Sequence, residues 1–544
     1  GETILDAARR AGIYIRSVCG GKGSCKKCLV KILSGNYKAE EQIGDYVLAC
    51  RATCVDICEV FIPPETRLGV QKLLSRAKIK LEVEVSPRVD ARVLQDGSLE
   101  VYYRDKPEIT LLRTSGSTFK VLGLAVDVGT TKVVMYLVDL LTGEIVFESS
   151  FTNPQIRFGD DVISRIEYCR KHRDGVKVLQ RLLIDKLNEE ISRALSSLGL
   201  SRENIVDAVF VGNTVMTYIL LGDSDVVNLV ESWYRVDKRL YETQAVDLGL
   251  HINERASITA LPCVSRFFGG DLIADIIATK MHEKEELQLL VDIGTNTQVV
   301  LGCSEWMIAT SGPGATAFEG WGVTCGVRAT EGAIEKVRIQ DDKVEYTTIG
   351  NVKPIGLCGS ALIDIIAELY RNGIIDEQGK FVKKSSRVRE RPDGTREFVV
   401  VDKSESGTGA DIVITERDIA NIIDSKATVC ALVSTLLRKM RLSTRDISRV
   451  YICGAFANNI DLTNAVYIGL LPEFPNAEIV FIGNGAIAGA YMTLVNFELR
   501  KLSEDIASKI TYIDMVNDSD FLEEYQANLS IPGKRELFPS IYSS

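Results

Sequence analysis

The chain has 544 residues, of which 46% are hydrophobic and 25% charged, with 74 acids against 64 Lys and Arg and a formal net charge of -10. That length suits several domains with substantial cores, the composition excludes a disordered chain, and the acidic balance speaks against a general nucleic-acid binder or a polyanion partner. The most hydrophobic window, Ile205 to Leu221, is interrupted by Asp207 and Asn213, so no membrane span is expected. The chain opens at Gly1 without the basic start and apolar middle of a signal peptide, which predicts a cytoplasmic protein whose first residues are the cut edge of a longer one.

In chain order, residues 1–64 come first and carry Cys19, Cys25, Cys28, Cys50, Cys54 and Cys58, while the other seven cysteines are scattered singly. Without a secretion signal, such a cluster points to metal or redox chemistry rather than disulfides. Cys19-Gly-Gly-Lys-Gly-Ser-Cys25-Lys-Lys-Cys28 is a glycine-rich loop with three thiols, followed by Leu48-Ala49-Cys50-Arg51. Four thiolates, three close together and one distant, are what a 2Fe-2S cluster requires, and glycines let a backbone wrap it closely. The spacing has five residues between the first two cysteines, where the plant-type pattern has four. A zinc site or buried free thiols is the alternative, but structural zinc favours short paired spacings. Any one of the evenly spaced Cys50, Cys54 and Cys58 supplies the fourth thiolate by spacing alone. Cys50 is preferred because its segment resembles the fourth-ligand segment of 2Fe-2S ferredoxins. These ferredoxins are β-grasp domains, and the hairpin that normally precedes the helix Glu2 to Ala11 is not in the sequence, so a truncated version is expected.

Pro63-Pro64 marks a boundary, and residues 65–120 alternate charged and β-branched residues before Thr114-Ser-Gly-Ser-Thr118. This predicts a small α/β middle module with a linker. From residue 121 onward, apolar strand-like runs alternate with helical stretches. Within that region Leu124-Ala-Val-Asp127-Val-Gly129-Thr130-Thr131-Lys132 recurs 165 residues later as Leu290-Val-Asp292-Ile-Gly294-Thr295-Asn296-Thr297. A strand, an Asp, a Gly-Thr turn and a second strand appearing twice predict two similar lobes, 121–288 and 289–544, each offering one hairpin to a shared cleft. In such a cleft Asp127 and Asp292 are placed to hold Mg²⁺ and act in catalysis, while Gly129, Thr130, Thr131, Lys132, Gly294, Thr295, Asn296 and Thr297 bind phosphates. A third element, Val450-Tyr-Ile-Cys-Gly454-Ala455-Phe456-Ala457, suits close approach by adenosine. Asp271, in Phe267-Phe-Gly-Gly-Asp271, is either a helix cap or the base of a small-molecule kinase.

The three motifs resemble the phosphate-1, phosphate-2 and adenosine motifs of the actin, sugar-kinase and heat-shock-chaperone ATPases, whose lobes are ribonuclease-H-like. Further segments narrow the resemblance: Asn153-Pro-Gln155, Gly159-Asp-Asp-Val-Ile-Ser-Arg165, Gly212-Asn213-Thr-Val-Met216, Gly312-Pro-Gly314, Phe318-Glu-Gly320, Gly356-Leu-Cys-Gly-Ser360 and Ile482-Gly-Asn484-Gly485. Together they look like the reductive activators of corrinoid proteins, over essentially the whole chain. That resemblance implies a 2Fe-2S cluster on Cys19, Cys25, Cys28 and Cys50, ATP with Mg²⁺, and one-electron reduction of Co(II) to Co(I) in a corrinoid protein. It also implies an external low-potential electron donor and a homodimer. Thr297-Gln298 departs from the family's usual Gly-Glu at those positions, which predicts slow hydrolysis if that Glu polarises water, and Ala457 stands where Gly is usual. The competing readings are the kinase and an activator of 2-hydroxyacyl-CoA dehydratases, which uses a 4Fe-4S cluster shared between subunits.

Overall fold

The computed structural model describes residues 2–11, 15, 17, 21–24, 26–63, 66, 82–96, 98–114, 120–159, 161–294, 296–383, 385–454 and 460–543. Cys19, Cys25, Thr295, Ala455, Phe456 and Ala457 lie outside the described residues.

The cysteine-rich segment forms a helix, Ile4–Arg10, over a four-stranded sheet in the order Gln42–Ile43, Tyr46–Leu48, Leu29–Ser34, Glu59–Phe61. Leu5, Val30, Val47, Leu48 and Ala52 close a small core beneath them. The pairing Leu29↔Leu48 sets Cys28 beside the turn that carries Cys50, and the Ala49 amide donates to the Cys28 carbonyl at 2.8 Å.

In the middle module the described strands Val89–Val93, Leu99–Tyr103 and Lys106–Thr114 make an antiparallel sheet. It is fastened to the strands that follow. Arg88, nearly fully buried, pairs with Asp105 at 2.8 Å and Glu242 at 2.9 Å, and the Tyr103 hydroxyl accepts from the Ser257 amide at 2.6 Å and donates to the Val206 carbonyl at 3.0 Å. Val89, Val101 and Leu111 join the same apolar core as strands of the region beyond residue 121.

Beyond residue 121 two six-stranded sheets repeat one plan. In the first, Ile145–Thr152, Lys132–Asp139 and Leu122–Val128 run antiparallel, then Ile205–Val211 and Ser257–Ala260 run parallel to the last of them. In the second, Met307–Gly312, Thr297–Gly302 and Gln288–Asp292 are followed by the parallel Arg449–Cys453 and Glu478–Gly483. Central strands such as Leu122–Val128 and Ile205–Val211 are almost wholly apolar because both faces of each sheet are covered by helices.

Two helices close the base of the cleft between the sheets. Gly270–Thr279 and Gly485–Val495 cross so closely that a methyl group on Gly489 would lie 2.1 Å from the Ala274 carbonyl oxygen. The lobes are also joined by a fully buried bidentate ion pair, in which Arg500 meets both carboxylate oxygens of Asp207 at 3.2 and 2.6 Å. Among the described residues one helix, Glu416–Lys439, is long and apolar enough to cross a membrane, and most of its apolar window is packed inside the second lobe.

Candidate functional site

Each repeated hairpin turns at the cleft, because the strand before it runs parallel to Ile205–Val211 in the first sheet and to Arg449–Cys453 in the second and ends at the same edge as they do. Asp127 is the penultimate residue of one strand and Asp292 the last residue of the other. Gly129 has no room for a side chain, since a methyl group there would sit 2.5 Å from the Lys132 carbonyl oxygen. At Gly294 the nearest atom would be the Asn296 carbonyl oxygen at 3.7 Å, so that turn is open to close approach from the cleft. Gly454 has φ of +96°, and a methyl group on it would lie 2.8 Å from Asp292 Oδ1. It therefore needs glycine both for its backbone conformation and for the space beside the carboxylate.

Three side chains that the motif reading did not include hold the first turn in shape. Asn153 Nδ2 donates to the Gly129 carbonyl at 2.8 Å, Arg165 Nη2 donates to the Thr130 carbonyl, and Asn213 Nδ2 donates to Thr130 Oγ1 at 3.0 Å. Asn484 reaches in from the other lobe. Its Oδ1 caps the helix Gly485–Val495 by accepting from the Ile487 amide, and its Nδ2 donates to Asp127 Oδ2 at 3.1 Å.

The cleft is rich in buried acid. Burial pushes Asp127 up to about 6, against the opposing pull of its hydrogen bond from Asn484 and of Lys132. Burial and then Asp127 raise Asp292 to about 7. Asp271 rises to about 8 through burial and the fields of Asp292 and Asp127. Asp275, one helical turn further along, is buried and raised for the same reasons, and its Oδ1 has no hydrogen-bond partner. Burial lowers Lys132 to about 8 while Asp127 opposes the shift. Four mutually repelling carboxyls are met by few cations, so a divalent ion is the natural complement. Among the described residues no three His, Cys, Asp or Glu side chains converge to enclose a metal by themselves.

On the two hairpins Thr131 Oγ1, Thr297 Oγ1 and Gln298 Oε1 are buried without a hydrogen-bond partner, Thr297 and Gln298 on opposite faces of their strand. Asp271 lies in the first turn of the helix Gly270–Thr279, whose cap position is Gly269, and accepts from its own Leu272 amide at 2.9 Å. Its place in the cleft makes it part of the acidic cluster rather than a detached cap.

The second candidate site is the thiol loop. Cys28 Sγ and Cys50 Sγ are buried and 3.3 Å apart, too far for a disulfide and close to the roughly 3.8 Å that separates two thiolates sharing one tetrahedral metal. Gly21 and Gly23 both have positive φ, of 96° and 79°, and Arg51 Nη2 donates to the Lys22 carbonyl at 2.8 Å, strapping the loop to the residue after Cys50. This pair fits half the donor set of a 2Fe-2S cluster. Cys54 is exposed, and the Cys58 thiol donates to the Asn36 carbonyl at 3.2 Å. Cys263, Cys303, Cys358, Cys430 and Cys453 are buried in the two lobes.

Matches to known proteins cover the segments that carry both candidate sites. Residues 1–55 match the profile of the 2Fe-2S iron-sulfur cluster binding domain, 122–284 that of the RACo middle region, and 286–542 that of the C-terminal domain of RACo, the ASKHA domain. The middle region of that family thus falls on the first six-stranded sheet, downstream of the small module at 65–120. The corrinoid activation enzyme RamQ of Eubacterium limosum is 29% identical over 96% of this chain and 95% of its own. The [Co(II) methylated amine-specific corrinoid protein] reductase of Methanosarcina barkeri is 23% identical over 75% of this chain and 76% of its own. A solved structure of a reductive activator for corrinoid, iron-sulfur protein superposes with a TM-score of 0.74 at 31% identity, covering 99% of this chain and 97% of that one.

Proposed function

The chain belongs to the family of reductive activators of corrinoid proteins, and from that premise we propose that it passes one electron from its 2Fe-2S cluster to the Co(II) corrinoid of a partner protein, regenerating Co(I) in an ATP-dependent step. The observation that carries this reading is the end-to-end match to a reductive activator structure, which spans the thiol loop and the twin-hairpin cleft together. An iron-sulfur domain matched at residues 1–55 also separates the chain from an activator that shares a 4Fe-4S cluster between subunits.

The cluster supplies the electron, from a potential of about -400 mV if it behaves as a plant-type centre. Each ~59 mV uphill costs about tenfold in equilibrium, so reduction to Co(I) gains from an energy source. Cys19, Cys25, Cys28 and Cys50 hold the cluster, with Arg51 fixing the loop. Asp127 and Asp292 organise Mg²⁺, with Asp275 adding buried negative charge nearby. Thr130, Thr131, Thr295, Asn296 and Thr297 bind phosphate together with the turn glycines Gly129 and Gly294, and Lys132 offsets charge beside Asp127. Gly454, Ala455 and Phe456 face the adenosine. Nucleotide draws the two hairpins together, and the lobes that carry them move with the crossing helices as hinge. An external low-potential donor, a homodimer and a cytoplasmic setting belong to the same proposal.

The test is anaerobic. The reconstituted, reduced protein is mixed with a Co(II) corrinoid protein and the Co(I) absorption is followed with and without Mg-ATP. Co(I) that forms only with Mg-ATP supports the proposal. ADP formed with a phosphorylated small molecule in place of free phosphate, and no Co(I), would redirect it to the kinase chemistry of Asp271.

A further inference from the structure

The helix Val162–Lys171 touches both sites from opposite faces. Arg165 is fully buried and donates from Nε to the Gly159 carbonyl at 3.1 Å, from Nη1 to Gln155 Oε1 at 3.1 Å, and from Nη2 to the Thr130 carbonyl within the first phosphate turn. Two positions later, roughly 200° around the helix, Glu167 accepts from Lys22 Nζ at 2.7 Å. Lys22 belongs to the cysteine loop, and its carbonyl is the one strapped by Arg51 beside Cys50.

The helix is stiffened at both ends. Asp161 caps it through the Ser164 amide at 2.8 Å, and Tyr168 packs its ring 4.3 Å from both Phe158 and His172. The cysteine loop has a second attachment in the other lobe. Lys27 Nζ donates at 2.9 Å to the Val323 carbonyl. That segment is itself pinned by Asn421 on the Gly322 carbonyl at 2.7 Å and by Asp418 on the Thr324 amide at 2.8 Å. One lysine of the loop thus holds the first lobe and another holds the second, so a change in lobe angle changes the loop's footing.

We propose that the helix Val162–Lys171 is a strut that carries nucleotide occupancy from the Thr130 turn, through Arg165 and Glu167, to Lys22 of the cluster loop. Arg165 acts as a positioning residue for the turn and Glu167 as the contact that reports its state to the loop. The strut rests on the nucleotide and cluster sites proposed above.

Hydrogen exchange of residues 21–28 in the reconstituted full chain tests it, with and without Mg²⁺ and a non-hydrolysable ATP analogue. In the unaltered protein the analogue changes exchange in the loop about two- to fivefold, the range an exposed ion pair can transmit. Glu167→Ala keeps the visible spectrum of the cluster and the Kd for the analogue within about twofold, yet loses that response. The charge swap Lys22→Glu with Glu167→Lys restores it. An undiminished response in Glu167→Ala, or no response in the unaltered protein with nucleotide bound and cluster intact, overturns the strut. Failure of the analogue to bind or of the cluster to assemble, read directly by calorimetry and absorption, overturns the underlying site reading and the strut with it.

Discussion

Asp127 and Asp292 occupy matching places in a repeated motif, yet their hairpins are registered differently. Val134 lies directly across from Asp127, whereas Gln298, the counterpart of Val133 in the repeat, lies across from Asp292. A one-residue difference in pairing reverses which side chains share a face, so the second hairpin sets a buried amide opposite its carboxylate where the first sets an apolar residue. The charge balance differs as well. Asp127 has Lys132 and Asn484 beside it, while burial and Asp127 itself dominate the surroundings of Asp292. The first hairpin is braced by protein, and the second depends more on what binds.

If the two lobes work as one unit, the buried pair between them is the contact to break first. Arg500→Met strands the Asp207 carboxylate and should cost about 3–5 kcal/mol in denaturant unfolding. A loss below ~1 kcal/mol would show that the lobes are held mainly by the crossing helices. Next in size is the asymmetry of the aspartates. Asp292→Asn should lower ATP hydrolysis by about 10²-fold, the usual cost of removing one preorganised charged group, and Asp127→Asn by less. Steady-state rates across a Mg²⁺ titration check this, and equal losses would erase the distinction between the hairpins.

Asn484→Ala removes a helix cap and the hydrogen bond to Asp127 together. A stability loss of about 1–2 kcal/mol is expected by urea unfolding. The smallest effect is on pH dependence. Asp292 and Asp271 have folded pKa values of about 7 and about 8, raised above an unfolded value near 3.8. The folded state therefore binds their protons more tightly, and stability falls as pH rises from about 4 through these values. Mg²⁺ should offset that loss, raising Tm more at pH 8 than at pH 5.5 by the equivalent of about 1 kcal/mol, and less so in Asp292→Asn. A pH-independent Mg²⁺ effect would contradict the placement of the ion among these carboxylates.

Much of this arrangement was legible in the residues. The repeated Asp-x-Gly-Thr segment foretold two lobes of one plan, since each copy carried its strand, turn and return strand within a dozen residues. Cys50 stood out for its Leu-Ala-Cys-Arg context, and its thiol does sit beside Cys28 while Cys54 faces solvent. The register difference was invisible because it follows from how strands pair across the turn, which the repeat itself hides. Asp275 was missed although it lies four residues after Asp271 on a helix opening at two glycines, a spacing that places both carboxyls on one face. Asn484 and Arg165 stood in segments recognised only by resemblance. Their partners, Asp127 and Thr130, are remote in sequence, and such contacts exist only once the sheets are folded.

The most direct test of the central claim is a single-turnover experiment in which cluster oxidation and Co(I) formation are followed together after mixing the reduced protein with a Co(II) corrinoid protein. With Mg-ATP the account predicts one cluster oxidised for each Co(I) formed, at matching rates, and neither signal when Asp292 is replaced by Asn. Co(I) appearing equally fast without nucleotide, or clusters oxidising without Co(I), would contradict it.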